Sequence, residues 1–282
     1  MELYKPSVVQ KLLDDHNLRA KKGFGQNFLV DRNVLEKIGA AADFQVKDNV
    51  LEIGPGLGTL GAFFAPAVKR WLAVEIDRDL APVLEIISGQ APNFQVVFGD
   101  FLQMDLAELM GDTEYKVVAN LPYYITTPIL LKILESATKW DKLILMVQWE
   151  VAKRYTAGPG GKDYGSISLF LQYWSDVSIV TKVSKNCFLP TPEVDSAVIA
   201  LTRHRIPPVE VDDEALLFKV IRSAFHQRRK TIANSLAAAP FLTYNPAQIQ
   251  EALAQAGIDP RKRAETLNLA GFAQLTNAFG QL

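Results

Sequence analysis

The sequence predicts an α/β fold, a parallel sheet with helices on both faces, followed by a small all-helical domain. Short apolar runs alternate with helix-like stretches from Val46 to about Leu201. The first run ends in a glycine loop, and the alternation stops at Pro207-Pro208. Strands alternating with helices imply a parallel sheet. Val50-Leu51-Glu52-Ile53 reads as the first, buried strand, ending in Gly54-Pro55-Gly56-Leu57-Gly58. Trp71 to Val74 is the second, ending at Glu75, and Phe94 to Phe98 the third, ending at Gly99-Asp100. Tyr115 to Ala119 is the fourth, ending at Asn120, and Lys142 to Val147 the fifth. Helical patterns such as Asp79 to Ser88 and Thr127 to Ser136 fit between them. Val177 to Val183 and Ser196 to Leu201 are expected to complete the sheet as a hairpin. Beyond Pro207 the chain reads as helices, such as Glu214 to Ala224 and Pro246 to Ala256. The expected domains are therefore 1–206 and 207–282.

Composition excludes several classes. Of 282 residues, 49% are hydrophobic and 22% charged, the balance of a packed globular chain and not of a disordered one. The single cysteine, Cys187, allows no intrachain disulfide, which fits a reducing compartment. His16, His204 and His226 lie far apart, so no metal-binding spacing exists. The first residues carry Glu2, Lys5, Lys11, Asp14 and Asp15, unlike a signal peptide, and no apolar run approaches the ~20 residues of a membrane helix. A cytoplasmic protein without membrane, metal or obligate protein partner is expected. The net charge of −1 argues mildly against nucleic acid, but phosphate affinity needs only a local patch.

In open α/β sheets ligands bind at the carboxyl ends of the strands, where this chain carries the glycine loop, Glu75 and Asp100. An acid about 20 residues beyond the first glycine is placed to bind ribose hydroxyls. A dinucleotide site and an adenosylmethionine site both meet that description. The spacing favours the second: Gly54-x-Gly56-x-Gly58 lacks the wider G-x-G-x-x-G interval, and Pro55 has no N–H for a pyrophosphate. S-Adenosyl-L-methionine has no phosphate to cradle. Asp100 is then expected at the cofactor's adenine amino group.

Asn120-Leu121-Pro122-Tyr123 closes the fourth strand. An adenine N6 lone pair is delocalised into the ring and is a poor nucleophile. A pocket helps by accepting hydrogen bonds from both N–H groups, through Asn120 Oδ1 and a backbone carbonyl, that of Leu121. Pro122 fixes the turn and Tyr123 offers a face for the base. Catalysis of this kind is positioning plus electrostatics and needs no strong base.

These segments resemble the ribosomal RNA adenine N6,N6-dimethyltransferases of the KsgA type. The resemblance rests on Phe24-Gly25-Gln26-Asn27-Phe28-Leu29, Glu52 to Gly58, Glu75-Ile76-Asp77, Gly99-Asp100, Asn120 to Tyr123, Phe188-Leu189-Pro190-Thr191-Pro192 and Phe225-His226-Gln227-Arg228-Arg229-Lys230-Thr231. It implies a Rossmann-like class I methyltransferase sheet, with Asn27 and Leu29 joining Gly54, Glu75, Asp100 and Asn120 at the cofactor. It also implies Phe188 near the target base, opposite Tyr123. The implied substrate is two adjacent adenosines near the 3′ end of 16S ribosomal RNA, each methylated twice during small-subunit assembly. The Erm type, acting on the large subunit, usually reads S-Q-N-F where this chain has Gly25-Gln26-Asn27-Phe28.

The charge pattern supports an RNA partner separately. Residues 215 to 250 contain no acid but hold Lys219, Arg222, Arg228, Arg229 and Lys230. Arg261 to Arg263 form a second cluster and Lys21 with Lys22 a third. Arg222, Arg228, Arg229 and Lys230 are expected to hold RNA backbone. Arg222 and Arg229, seven apart, share a face if the stretch is helical.

Overall fold

The computed structural model describes residues 1–282, apart from the side chain of Lys22, so half of the third basic cluster lies outside the described residues. The elements in order are α1 (Pro6–Asp15), β1 (Phe28–Leu29), α2 (Arg32–Ala42), β2 (Asn49–Ile53), α3 (Thr59–Phe64), β3 (Arg70–Glu75) and α4 (Ala81–Gln90). Then come β4 (Phe94–Phe98), α5 (Leu106–Met110), β5 (Tyr115–Asn120), α6 (Thr126–Leu134), β6 (Trp140–Gln148), α7 (Trp149–Tyr155) and α8 (Ser166–Trp174). The last are β7 (Ser175–Val183), β8 (Phe188–Leu189), β9 (Ser196–Arg203), α9 (Glu214–Ala224), α10 (Ile232–Ala238), α11 (Pro246–Gln255) and α12 (Leu269–Gly280).

Seven strands form one sheet in the order β4-β3-β2-β5-β6-β9-β7. The five expected strands are its parallel part, β2 to β6. β9 runs antiparallel to β6, and β7 lies beside it. The central strands carry apolar side chains on both faces, as a sheet covered by helices on both sides requires. Val50, Leu51 and Ile53 of β2 are buried, as are Val117, Val118 and Ala119 of β5. At the edge, β4 alternates buried and more open positions. The order in which strands are added reverses at β2: β3 and β4 build outward on one side, and β5 begins the other. A crevice therefore opens at the carboxyl ends of β2 and β5, the switch point where such sheets bind ligands.

Helix starts follow capping chemistry. Asp31 accepts the Val34 amide at 3.0 Å to begin α2, Asp213 accepts that of Leu216 at 2.9 Å to begin α9, and Asn245 with Gln248 closes a reciprocal box at α11.

The compact units differ from the continuous domains expected on either side of residue 207. One contains Met1–Ala152 with Ser178–Arg203, the other Lys153–Val177 with His204–Leu282. The reason is α8. Its Leu169 and Tyr173 are buried with Leu217, Val220 and Phe272 in a separate helical core. Tyr173 donates to Glu214 Oε2 at 2.9 Å, and Tyr164 donates to the Leu267 carbonyl at 2.9 Å. Local periodicity cannot show that a segment inserted before the last strands packs with helices after them.

Candidate cofactor and base site

The crevice is a cavity of about 660 Å³, its open mouth included. Gly54 and Gly56 after β2, Glu75 and Ile76 after β3, Asn120 and Pro122 after β5, and the segment Phe24–Leu29 all line it. Of the residues expected at the cofactor, it gathers Asn27, Leu29, Gly54, Glu75 and Asn120. Asp100 is not among the lining residues; its Oδ1 turns back to cap the next turn, accepting the Leu102 amide at 2.9 Å.

Two glycines show why the loop needs that residue. Gly58 has φ +78°, and a Cβ there would sit 2.3 Å from Ile87 Cδ1, so the loop presses onto α4. Gly56 has φ +58° and its amide donates to Glu75 Oε2 at 3.0 Å. Both conformations are left-handed, which glycine adopts without strain. Glu75 Oε1 accepts the Asp77 amide at 2.8 Å, so this 4%-exposed carboxylate ties the glycine loop to the turn after β3. Burial raises the Glu75 pKa, while the amide bonds from Asp77, Gly56 and Ile76 pull it down.

The segment over the cavity is held at both ends. At one end Lys21 Nζ lies 2.6 Å from Asp77 Oδ1, and Gln26 Nε2 donates to Asp77 Oδ2 at 2.8 Å. Burial opposes ionisation of Asp77, but the bonds from Lys21, Gln26 and the Asp79 amide outweigh it and hold the carboxyl below its usual range. At the other end β1 pairs antiparallel with β8, Leu29 opposite Phe188 and Phe28 opposite Leu189. The motifs around Asn27 and Phe188, far apart in sequence, are thus bonded to each other.

Asn120 Nδ2 donates to the Asn27 carbonyl at 3.0 Å. That bond fixes which way the amide points and leaves Oδ1 as the free acceptor among the described residues. Pro122 lines the cavity, whereas Leu121 and Tyr123 do not. The Leu121 side chain is buried. Tyr123 is half-buried, with its hydroxyl 2.8 Å from Ser196 Oγ. Phe188 does not stand open opposite it: its ring is 3% exposed and belongs to the core around the β1–β8 ribbon.

Glu52, inside β2, lines the same cavity and was not expected as a site residue. An acid within a run buried on both faces is the signal that marks it. It is 1% exposed and its Oε2 accepts Trp71 Nε1 at 2.7 Å. Burial pushes its pKa from the usual 4.5 up to about 8, against the Trp71 bond. Between those pH values the folded chain holds one proton more than the unfolded chain, so stability is highest at the acid end and falls as pH rises. The slope attributable to Glu52 approaches about 1.4 kcal/mol per pH unit. Glu52→Gln is expected to gain stability relative to the parent between pH 5 and 8, measured by denaturant unfolding at a series of pH values. Parallel profiles would mean that Glu52 titrates normally in the folded state.

In the helical unit the expected RNA contacts separate. α9 ends at Ala224, with Phe225 as its cap, and residues 226–230 form turns before Thr231 starts α10. Arg222 and Arg229 therefore do not share a helix face. Arg222 lies 4.0 Å from the centre of the Phe241 ring. Arg228 Nη2 donates to the Lys162 and Tyr164 carbonyls at 2.7 and 3.0 Å, a structural role. Arg229 and Lys230 are exposed, and their side chains form no bond with a described residue.

Among the described residues no cluster of His, Cys, Asp and Glu is placed to hold a metal, and no helix is long and apolar enough to cross a membrane.

A profile of a family described as ribosomal RNA adenine dimethylase matches residues 17–281. The chain is 46% identical to "Ribosomal RNA small subunit methyltransferase A" of Moorella thermoacetica, over 96% of each chain. It is 43% identical to the protein of the same name from Clostridium perfringens, over 97% of this chain and 95% of that one. A dimethyladenosine transferase from Plasmodium falciparum superposes with a TM-score of 0.77 at 22% identity, covering 90% of this chain and 97% of the other. The 23S rRNA methyltransferase ErmE gives 0.71 at 26% identity, covering 90% and 100%.

Proposed function

From the premise that the chain belongs to the ribosomal RNA adenine dimethylase family, we propose that it dimethylates N6 of two adjacent adenosines near the 3′ end of 16S ribosomal RNA. It does so on the assembling small subunit, in the cytoplasm. The observation that carries this reading is the Asn120 amide, at the carboxyl end of β5, held by its nitrogen so that its oxygen is left to accept. S-Adenosyl-L-methionine is the proposed donor, and the residues fit it. The loop offers close backbone approach at Gly54 and Gly56, Glu75 is a buried acceptor for ribose hydroxyls, and Ile76 is a 49%-exposed apolar surface for the adenine ring. When bound, the cofactor supplies a methyl group activated by its positively charged sulfur.

The chain's own residues prepare the nucleophile. Asn120 Oδ1 and the Leu121 carbonyl accept the N6 hydrogens, two in the first transfer and one in the second, which raises electron density on the nitrogen. Pro122 holds the turn, and Tyr123, with its hydroxyl fixed by Ser196, presents its ring to the base. Positive charge that builds on N6 during transfer is stabilised by these two oxygens. No side chain with a shifted pKa is needed to remove the proton, which is acidic once N6 carries the extra methyl group.

The test is incubation with labelled adenosylmethionine and under-methylated small subunits, followed by mapping of modified nucleosides. Separated large subunits distinguish the 23S-directed alternative that the likeness to ErmE raises. Label on large-subunit adenine alone would overturn the small-subunit assignment.

Arg229 and Lys230 are the side chains we propose for RNA backbone, with Arg222 beside Phe241 as a flanking contact and Arg228 as the brace of their turn. Each phosphate contact contributes about 0.7–0.9 to the slope of log affinity against log salt. Arg229→Gln with Lys230→Gln is expected to flatten that slope by about 1.4–1.8, with cofactor affinity unchanged. A wild-type slope would make these charges a solvated face.

A further inference from the structure

Among the described residues, Tyr124 is the one exposed side chain of the Phe, Tyr and Trp class. It is 65% exposed, although it directly follows the four residues that close β5. Its packing does not explain it. An open ring gains little from burial, and its one hydrogen bond, to the Gly23 carbonyl, is 3.5 Å long, at the limit of such bonds. Its neighbour is the opposite case: Tyr123 is half-buried and held by Ser196 at 2.8 Å. Two consecutive tyrosines thus divide, one anchored and one presented.

The place of the presented ring is specific. Gly25 and Pro122 both line the cavity. A Cβ on Gly25 would meet Pro122 Cβ at 3.1 Å and Tyr124 Cε1 at 3.7 Å. The Tyr124 ring therefore stands beside Gly25, at the edge of the cavity wall that Gly25 and Pro122 form. Ile76, an exposed apolar residue just after β3, is among the residues that line the cavity. Tyr124 is outside the lining and so faces whatever remains outside when the cavity is filled.

A nucleotide drawn into a pocket leaves the stack of its strand, and the base next to it loses a partner on one side. An exposed aromatic ring restores that partner without reading sequence, because every base has a π-face. Resting on the RNA-adenine reading above, we propose that Tyr124 is the stacking platform for the nucleotide adjacent to the target adenosine. In a substrate with two adjacent target adenosines, the platform holds one while the other occupies the pocket. RNA affinity then depends on the ring, and cofactor affinity does not.

Three variants test this with under-methylated small subunits and labelled adenosylmethionine: Tyr124→Ala, Tyr124→Phe and Tyr124→Trp. Loss of one stacked base is expected to raise KM for subunits about tenfold in Tyr124→Ala. Phenylalanine and tryptophan, which keep a ring, restore KM to within about twofold, well short of the loss of a stacked base. Calorimetric cofactor affinity and thermal stability stay at parental values in all three. Tyr124→Ala with an unchanged KM overturns the proposal. So does Tyr124→Phe as impaired as Tyr124→Ala, which would assign the effect to the hydroxyl and Gly23. Weakened cofactor binding in Tyr124→Ala with KM for subunits unmoved would make the residue part of the cavity wall instead. If the parental protein places no label on small-subunit adenine, the functional reading itself falls. Parental labelling with an indifferent Tyr124→Ala removes only the platform.

Discussion

Asn120→Ala is expected to slow methyl transfer by about 10²–10³-fold in single turnover at saturating cofactor, the loss usual for one polar group aimed at developing charge. Two functions of one amide are removed together. Oδ1 no longer accepts from the target N6, and Nδ2 no longer donates to the Asn27 carbonyl. The second loss loosens the segment over the cavity, so cofactor affinity falls as well. Saturating cofactor removes that contribution from the rate. Asn120→Asp separates the two further, because a carboxylate accepts from N6 but cannot donate to the Asn27 carbonyl. It is expected to bind cofactor more weakly than the parent. Subunit affinity is expected to stay near parental in both variants, since RNA backbone contacts lie elsewhere. Near-parental chemistry in Asn120→Ala would remove the residue from the reaction.

Glu75→Ala is expected to weaken adenosylmethionine binding by about tenfold to a hundredfold, from the loss of a charged acceptor for ribose hydroxyls. The same carboxylate also satisfies backbone amides, those of Gly56 and Asp77 among them. Leaving a buried amide without a partner costs about 1–3 kcal/mol, so the alanine variant also unfolds more readily. Glu75→Gln keeps the shape and one accepting oxygen. It is expected to lose affinity with a smaller loss of thermal stability. Calorimetry and thermal unfolding on both variants distinguish a cofactor ligand from a purely structural clasp. Unchanged affinity in a folded variant would leave Glu75 only the second role.

Much of this arrangement was legible because strand ends carry their own punctuation. Val50 to Ile53 followed by Gly54 marks both a buried strand and the place where it stops, and Glu75 and Asn120 mark the next two ends that matter. Pattern alone put Asp100 in the same company. The structure shows Asp100 also serving as a cap, taking the Leu102 amide through Oδ1. Glu52 was hidden: inside a β-strand every residue counts toward periodicity, so a buried acid is read as part of the run. Arg222 and Arg229 have helical spacing, but Thr231 caps a new helix and the chain must turn before it. The burial of Phe188 and the membership of α8 in the helical core depend on contacts between distant segments, which no local window contains.

The ribbon between β1 and β8 sets the order in which the site can be completed. Leu29 and Phe188 are roughly 160 residues apart, a long-range pairing whose closure comes late in any growing chain. A nascent polypeptide that has emerged only to the end of β6 already carries Gly54, Glu75 and Asn120. It has no strand with which to hold Phe28 and Leu29. Until β8 has been made, the wall over the cavity has only its fastening to Asp77, and its second fastening waits for a segment that follows every parallel strand of the sheet.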